Sequence, residues 1–204
     1  MGLALEKDAE ECYSVDMNDA VRHGMCVSIL ASELARELGC DEKFIHKVAL
    51  AGMLHDVGKL QVSPYIYGRR QGAMKIEEMR YVRLHAKLGA EILKREGYDQ
   101  DIVDMVHYHH ENYDGSGYPY RMRGEEIPLG ARLIRVCDVF SALVSDRPYR
   151  KAFDADTAFG MVIDEVRHFD MRAFLAFQRL INTTDIMSRV DQVLHGDIPG
   201  LDEK

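Results

Sequence analysis

The sequence predicts an all-α fold. Apolar residues recur at helical spacing along most of the chain, and no stretch shows sustained apolar–polar alternation joined by hairpin turns. The longest apolar runs also fall far short of the ~20 residues a membrane helix needs, so the helices belong to a bundle with its own core.

The elements follow in order. Met25, Ile29, Leu34 and Leu38 fall on one side of a first helix, which stops at Gly39, a residue suited to the left-handed C-terminal position. Asp41 N-caps a second helix running through Leu54 and beyond. Further helices are expected from Ile76 to Arg95, ending near Gly97, and from Gln100 to His110, Leu129 to Val144, Thr157 to His168, Met171 to Leu180 and Ile186 to Leu194. The stretch from Asp114 to Pro128, rich in Gly and Pro, is a loop.

A chain of 204 residues makes one domain of ordinary size, and folding at that length buries roughly 70% of the unfolded surface. Cys12, Cys26, Cys40 and Cys137 are widely spaced without a CxxC pair, which reads as reduced thiols. The acidic segment Glu6 to Glu11 lacks the pattern of a signal peptide, and a cytoplasmic location is expected. A net charge of -8 argues against binding a polynucleotide, which takes a broad basic surface. A small anionic ligand remains compatible if metals and a few arginines make a local positive site.

Two histidine couples suggest such a site. One lies in His55-Asp56-Val57-Gly58-Lys59; the other opens His109-His110-Glu111-Asn112-Tyr113-Asp114-Gly115-Ser116-Gly117-Tyr118-Pro119. Together they resemble the signatures of the HD-GYP family of metal-dependent hydrolases, and the likeness runs from about His23 to about Phe177. The stretches Gly124 to Leu129, Arg132 to Asp138, Ala142-Leu143 and Asp146-Arg147-Pro148-Tyr149-Arg150 are similar to the family in content and order. The resemblance implies an HD-superfamily helical bundle with a metal site in its core. It also implies hydrolysis of the bacterial second messenger cyclic di-GMP, read here as opening to pGpG, with a further step to GMP left open.

Matched to the family residue by residue, the chain supplies a ligand set of His23, His55, Asp56, His85, His109, His110 and Asp138. Mixed imidazole and carboxylate ligands favour iron or manganese, and the lack of cysteine ligands argues against structural zinc. Two divalent ions are expected, with Asp56 bridging them, and a hydroxide between them would be the nucleophile. A third ion would draw on Asp19, which stands four residues before His23 where family members with three metals carry glutamate; a first-turn helix acid is the competing reading.

Lys59, four residues after His55, is expected on the same helix face, neutralising phosphate or protonating the leaving ribose oxygen. Gly115 and Gly117 would let the backbone approach a ligand. Tyr118, Arg147 and Arg150 match family substrate contacts, with a surface ion pair as the alternative for Arg150. His46, His107, His168 and His195 match no motif position, and Tyr65, Tyr67 and Tyr81 read as core or as cleft lining. Two departures stand out: Arg69-Arg70-Gln71-Gly72 replaces a Lys-Pro-Gly element, and Phe169-Asp170-Met171 stands where Phe-Asp-Pro is expected.

The domain reading is an N-terminal extension over residues 1–15, a catalytic domain over 16–182 and a C-terminal helix and tail over 183–204. No receiver, sensor or diguanylate cyclase region is appended, which leaves input through such a partner or through a longer chain. Other readings are a phosphodiesterase for another cyclic dinucleotide, a di-iron oxygenase, and a silent module that binds the nucleotide or a protein partner. The Gly-Tyr-Pro loop and the Arg147/Arg150 pair argue for phosphate over oxygen chemistry.

Overall fold

A computed structural model describes residues 2–66, 82–146, 150–183, 185–196 and 198, with side chains from Met17 onward except at 63–66 and 183. Among them the fold is all-α, as the sequence predicts. The helices are α1 (Gly2–Glu37), α2 (Glu42–Leu54), α3 (Lys59–Ile66), α4 (His85–Arg95), α5 (Gln100–Tyr108), α6 (Leu129–Val144), α7 (Ala155–Asp164), α8 (Met171–Thr183) and α9 (Ile186–His195). Short 3-10 turns lie at Gly124–Glu126 and Val166–His168.

The punctuation is largely what local chemistry dictates. Gly39 and Gly97 close their helices at φ +76 and +79. The Asp41 side chain accepts the Phe44 amide at 2.8 Å, satisfying a donor that the first turn of α2 leaves open. Asp154 does the same for Thr157 at 2.9 Å, so α7 begins two residues before the expected Thr157. It also ends at Asp164, with Val166–His168 in a tighter turn, rather than continuing to His168. The expected helix from Ile76 is described only from His85, and the Arg69 to Gly72 departure and Tyr67 and Tyr81 lie outside the described residues.

α6 is the central rod: α1, α2, α5, α7 and α8 all pack on it, while α1 also packs on α2, α8 and α9. Phe140 of α6 meets Phe177 of α8 edge-on, ring centroids 5.2 Å apart, both fully buried. Each such side chain contributes about 1.5–3 kcal/mol on leaving water. The buried stripe of α1 is Cys26, Val27, Leu30, Ala31, Leu34 and Ala35, while Met25, Ile29 and Leu38 pack half-buried at its edge. His23 continues that stripe, four residues before Val27 and seven before Leu30, which aims it into the bundle. No described helix is long and apolar enough to cross a membrane.

Candidate metal centre

Five helical segments deliver the seven expected ligands to one place. His23 and Asp138 come from the interiors of α1 and α6, His85 opens α4, and the two histidine couples lie just past the ends of α2 and α5. Leaving the helix matters for those couples, because neighbours inside a helix diverge by about 100°. The turn after α2 is set by Gly58: a Cβ there would stand 2.0 Å from the His85 carbonyl oxygen and 2.5 Å from the Gly89 amide nitrogen. Only glycine lets this turn dock on α4 and bring Asp56 to His85.

The distances define three overlapping groups. His23 Nε2 lies 3.0 Å from Asp138 Oδ1, and His55 Nε2 lies 3.6 Å from the same oxygen. His85 Nε2 is 3.3 Å from His109 Nε2 and 3.1 Å from His110 Nε2. Asp56 stands between them, Oδ2 at 3.3 Å from His55 and Oδ1 at 3.3 Å from His85. Groups with ligand atoms within 4.8 Å of one another are His85/His109/His110, His23/His55/Asp138 and His55/Asp56/His109.

Three rings are oriented in the same way. His55, His85 and His109 each turn Nδ1 onto the carbonyl three residues earlier, at Gly52 (2.7 Å), Val82 (2.5 Å) and Val106 (2.6 Å). With Nδ1–H donating there, Nε2 keeps its lone pair and faces the site, the arrangement that supports metal-binding histidines. Two such lone pairs at 3.3 Å repel unless a cation lies between them. His55 Nε2 and Asp56 Oδ1 are also buried without a hydrogen-bond partner, a costly condition for polar atoms. The donor set therefore fits metal ions.

Electrostatics agree for His109 and His110, whereas Asp56 and Asp138 raise His55 to about 10 against its burial, so that ring must give up a proton to take a metal. Burial pushes His109 well below its usual value and His110 down to about 3, so both rings stay neutral, as ligands must. Burial works against ionising Asp56 and Asp138, yet His55 and Lys59 beside the first, and His23 and His55 beside the second, hold both carboxyls well below the usual range.

Lys59 does not share a helix face with His55. α2 ends at Leu54 and the chain passes through tight turns, Val57 amide to Leu54 carbonyl and Lys59 amide to Asp56 carbonyl, before α3 begins. Lys59 instead reaches Asp56 Oδ2 at 2.5 Å, so it still faces the site, from a half-exposed position.

The loop after α5 folds over the histidines. Tyr118 stacks on His110, centroids 4.7 Å apart, and burial raises its hydroxyl pKa. Packing alone requires glycine at Gly117: a Cβ would stand 2.2 Å from the Asn112 amide nitrogen and 2.5 Å from the His110 carbonyl oxygen. Arg150 donates to the carbonyls of Ala142 (2.6 Å), Leu143 (3.0 Å) and Lys151 (2.9 Å), closing the end of α6 instead of forming an ion pair or reaching toward the site. Arg147 lies outside the described residues. Asp19 is exposed and joins none of the ligand groups; it borders a cavity of about 240 Å³ that reaches His23. His46 and His195 are exposed, while His107 stacks on Tyr108 at 4.8 Å, away from the ligands.

Sequence reasoning passed over four residues. Glu111, fully buried, accepts the amides of Tyr120 (2.6 Å) and Met122 (3.1 Å) and ties the loop down. Asn112 Oδ1 accepts from Arg135 Nε at 2.9 Å, and the Arg83 guanidinium lies 5.2 Å over the Tyr118 ring. Glu111, Asn112 and Arg135 all sit inside the motif stretches, so proximity in sequence was the available signal; Arg83 had none.

The helical bundle thus brings five histidines and two aspartates into three overlapping groups, each able to hold a metal ion. The chain belongs to the HD domain family, which matches residues 8–173, and its Gly117-Tyr118-Pro119 loop places it with the HD-GYP proteins. It is 37% identical over 160 residues to a cyclic di-GMP phosphodiesterase of Pseudomonas aeruginosa, covering 78% of this chain and 38% of that protein. It is 34% identical over 162 residues to a 3′3′-cGAMP-specific phosphodiesterase of Vibrio cholerae, covering 78% of this chain and 35% of that protein. The chain thus spans less than two fifths of these relatives. A solved cyclic GMP-AMP-specific phosphodiesterase of V. cholerae superposes with a TM-score of 0.66 at 14% identity, over 93% of this chain and 54% of that one, which supports the fold.

Proposed function

We propose that this chain is a metal-dependent phosphodiesterase that opens cyclic di-GMP to pGpG and carries it on to GMP. The observation that carries the reading is the convergence of His23, His55, Asp56, His85, His109, His110 and Asp138 beneath the Gly117-Tyr118-Pro119 loop. In this reading His85, His109 and His110 would hold one divalent ion and His23, His55 and Asp138 a second, while Asp56, whose two oxygens face His55 and His85 separately, would be available to both. The nitrogen and oxygen donors favour iron or manganese. Bound there, such ions supply Lewis-acid polarisation of the phosphoryl oxygen and an activated water. A third ion would depend on exposed Asp19, and we place two.

The chain's own groups do the rest. Lys59 sits on Asp56 and offers a proton toward the leaving ribose oxygen. Tyr118 presents a hydroxyl that burial keeps protonated, and so a donor to phosphate. Arg147 is assigned to the phosphate by its place in the motif. Regulatory input through a sensor or diguanylate cyclase partner, and a cytoplasmic location, belong to the same reading.

The test is anaerobic incubation of iron- or manganese-loaded protein with cyclic di-GMP, products followed by chromatography against a chelator-treated control. Metal-dependent pGpG or GMP supports the reading. The V. cholerae relative named for 3′3′-cGAMP favours a second substrate, so cleavage of that dinucleotide alone would move the assignment to it. No cleavage of either would leave a binding module.

A further inference from the structure

Arg135 of α6 turns its side chain to the loop that follows α5. Among the described residues it forms no ion pair, although its helix neighbour Arg132 is locked to Asp170 at 2.5 Å. It is half-buried on α6, and its Nε donates to Asn112 Oδ1 at 2.9 Å, which fixes the guanidinium plane while its two terminal nitrogens carry no hydrogen bond in the described residues. Asn112 is in turn held by Ser116, Nδ2 to Oγ at 2.9 Å, and Ser116 by Asp114 at 2.6 Å. Arg135 precedes the candidate ligand Asp138 by three residues, about 4.5 Å of rise along α6, so the two positions share a helix face. Its charge acts on both the Tyr118 hydroxyl and His110. The Arg83 guanidinium lies over the Tyr118 ring, 5.2 Å from its centroid.

An oriented, half-desolvated guanidinium without a counter-ion is suited to a phosphate oxygen, which it can take with two parallel bonds. The metal site uses one phosphate of its substrate, whereas a cyclic dinucleotide carries two in one small ring. We propose that Arg135, braced by Asn112 and joined by Arg83 across Tyr118, forms the subsite that binds the second, uncleaved phosphate. The proposal rests on the cyclic-dinucleotide reading above. It makes Arg135 a selector of substrates with two phosphates over simple diesters.

The experiment compares manganese-loaded wild-type protein with Arg135→Gln, Arg135→Lys and Arg83→Gln on cyclic di-GMP and on bis(4-nitrophenyl) phosphate, a diester with a single phosphate. For Arg135→Gln the ratio of kcat/KM on the dinucleotide to that on the simple diester falls at least tenfold, through KM. Arg135→Lys, which keeps the charge but loses the bond to Asn112 and the two-pronged fork, recovers only part of it, and Arg83→Gln gives a smaller fall. In wild type, KM for the dinucleotide rises more steeply with salt than KM for the simple diester, a readout that survives a misfolded variant. An equal loss on both substrates, no loss, or a lysine variant as poor as glutamine overturns the subsite. If wild-type protein cleaves the simple diester yet neither binds nor cleaves any cyclic dinucleotide, the functional reading fails first and the subsite with it.

Discussion

His23 Nε2 and Asp138 Oδ1 meet at 3.0 Å across 115 residues of sequence, joining the interiors of α1 and α6. The same Asp138 oxygen faces His55, and Asp56 faces both His55 and His85. Two carboxylates thus tie four of the five delivering segments to one another, and each is shared by more than one candidate ligand.

Asp56→Ala removes the carboxylate common to both halves of the site. Metal-dependent turnover should fall by more than the ~10²-fold that loss of a supporting partner alone produces. Steady-state assays alongside metal analysis check this; a variant that kept its metals and full activity would refute the bridging role.

Gly117→Ala should damage function more than folding. The added methyl meets the backbone at 110–112, which cannot give way like a flexible side chain, so the loop must lift from His110. A displacement of about 1 Å costs on the order of 10² in kcat/KM. Melting and kinetics measured together decide it, and unchanged kinetics would show that the loop carries no reacting group.

Arg150→Ala should lower stability by about 2 kcal/mol, or Tm by roughly 4–8 °C, because three charged hydrogen bonds to carbonyls are lost near the end of α6. A large rise in KM with no change in Tm would return Arg150 to the substrate.

The pH profile of chelator-treated protein should have its maximum Tm near pH 6.5. Burial lowers His109 and His110, so below the usual 6.5 the unfolded chain takes up protons that the folded one refuses, and stability falls. Burial opposes a charge on His55 as well, but Asp56 and Asp138 raise it to about 10; that contribution is full below 6.5 and is lost as pH rises toward 10. Loading metal displaces the His55 proton and should abolish the alkaline decline. Thermal melts from pH 5 to 9 measure both arms, and a flat profile without metal would contradict the assignment.

The convergence of the candidate ligands was legible because their identities travel in short strings, His55-Asp56 and His109-His110, and because His23 and Asp138 sit in amphipathic stretches. The helix boundaries marked by Asp41, Gly39 and Gly97 were legible for the same local reason. The break after Leu54 was not, since it follows from Gly58 seating against α4, a contact 27 residues away in sequence. Arg150 reads as a phosphate fork in the motif because nothing local reveals the carbonyls of α6 above it. Glu111 shows the converse: a carboxylate beside two histidines invites a metal role, whereas both its oxygens accept backbone amides.

The Nδ1 contacts of His55, His85 and His109 share one spacing, each ring leaning on the carbonyl three positions earlier. Each ligand is therefore a self-contained cassette of four residues, aimed by its own turn and indebted to no distant side chain for its angle. Segments between the cassettes can lengthen, shorten or change character without re-aiming a ring, provided the helix ends still meet.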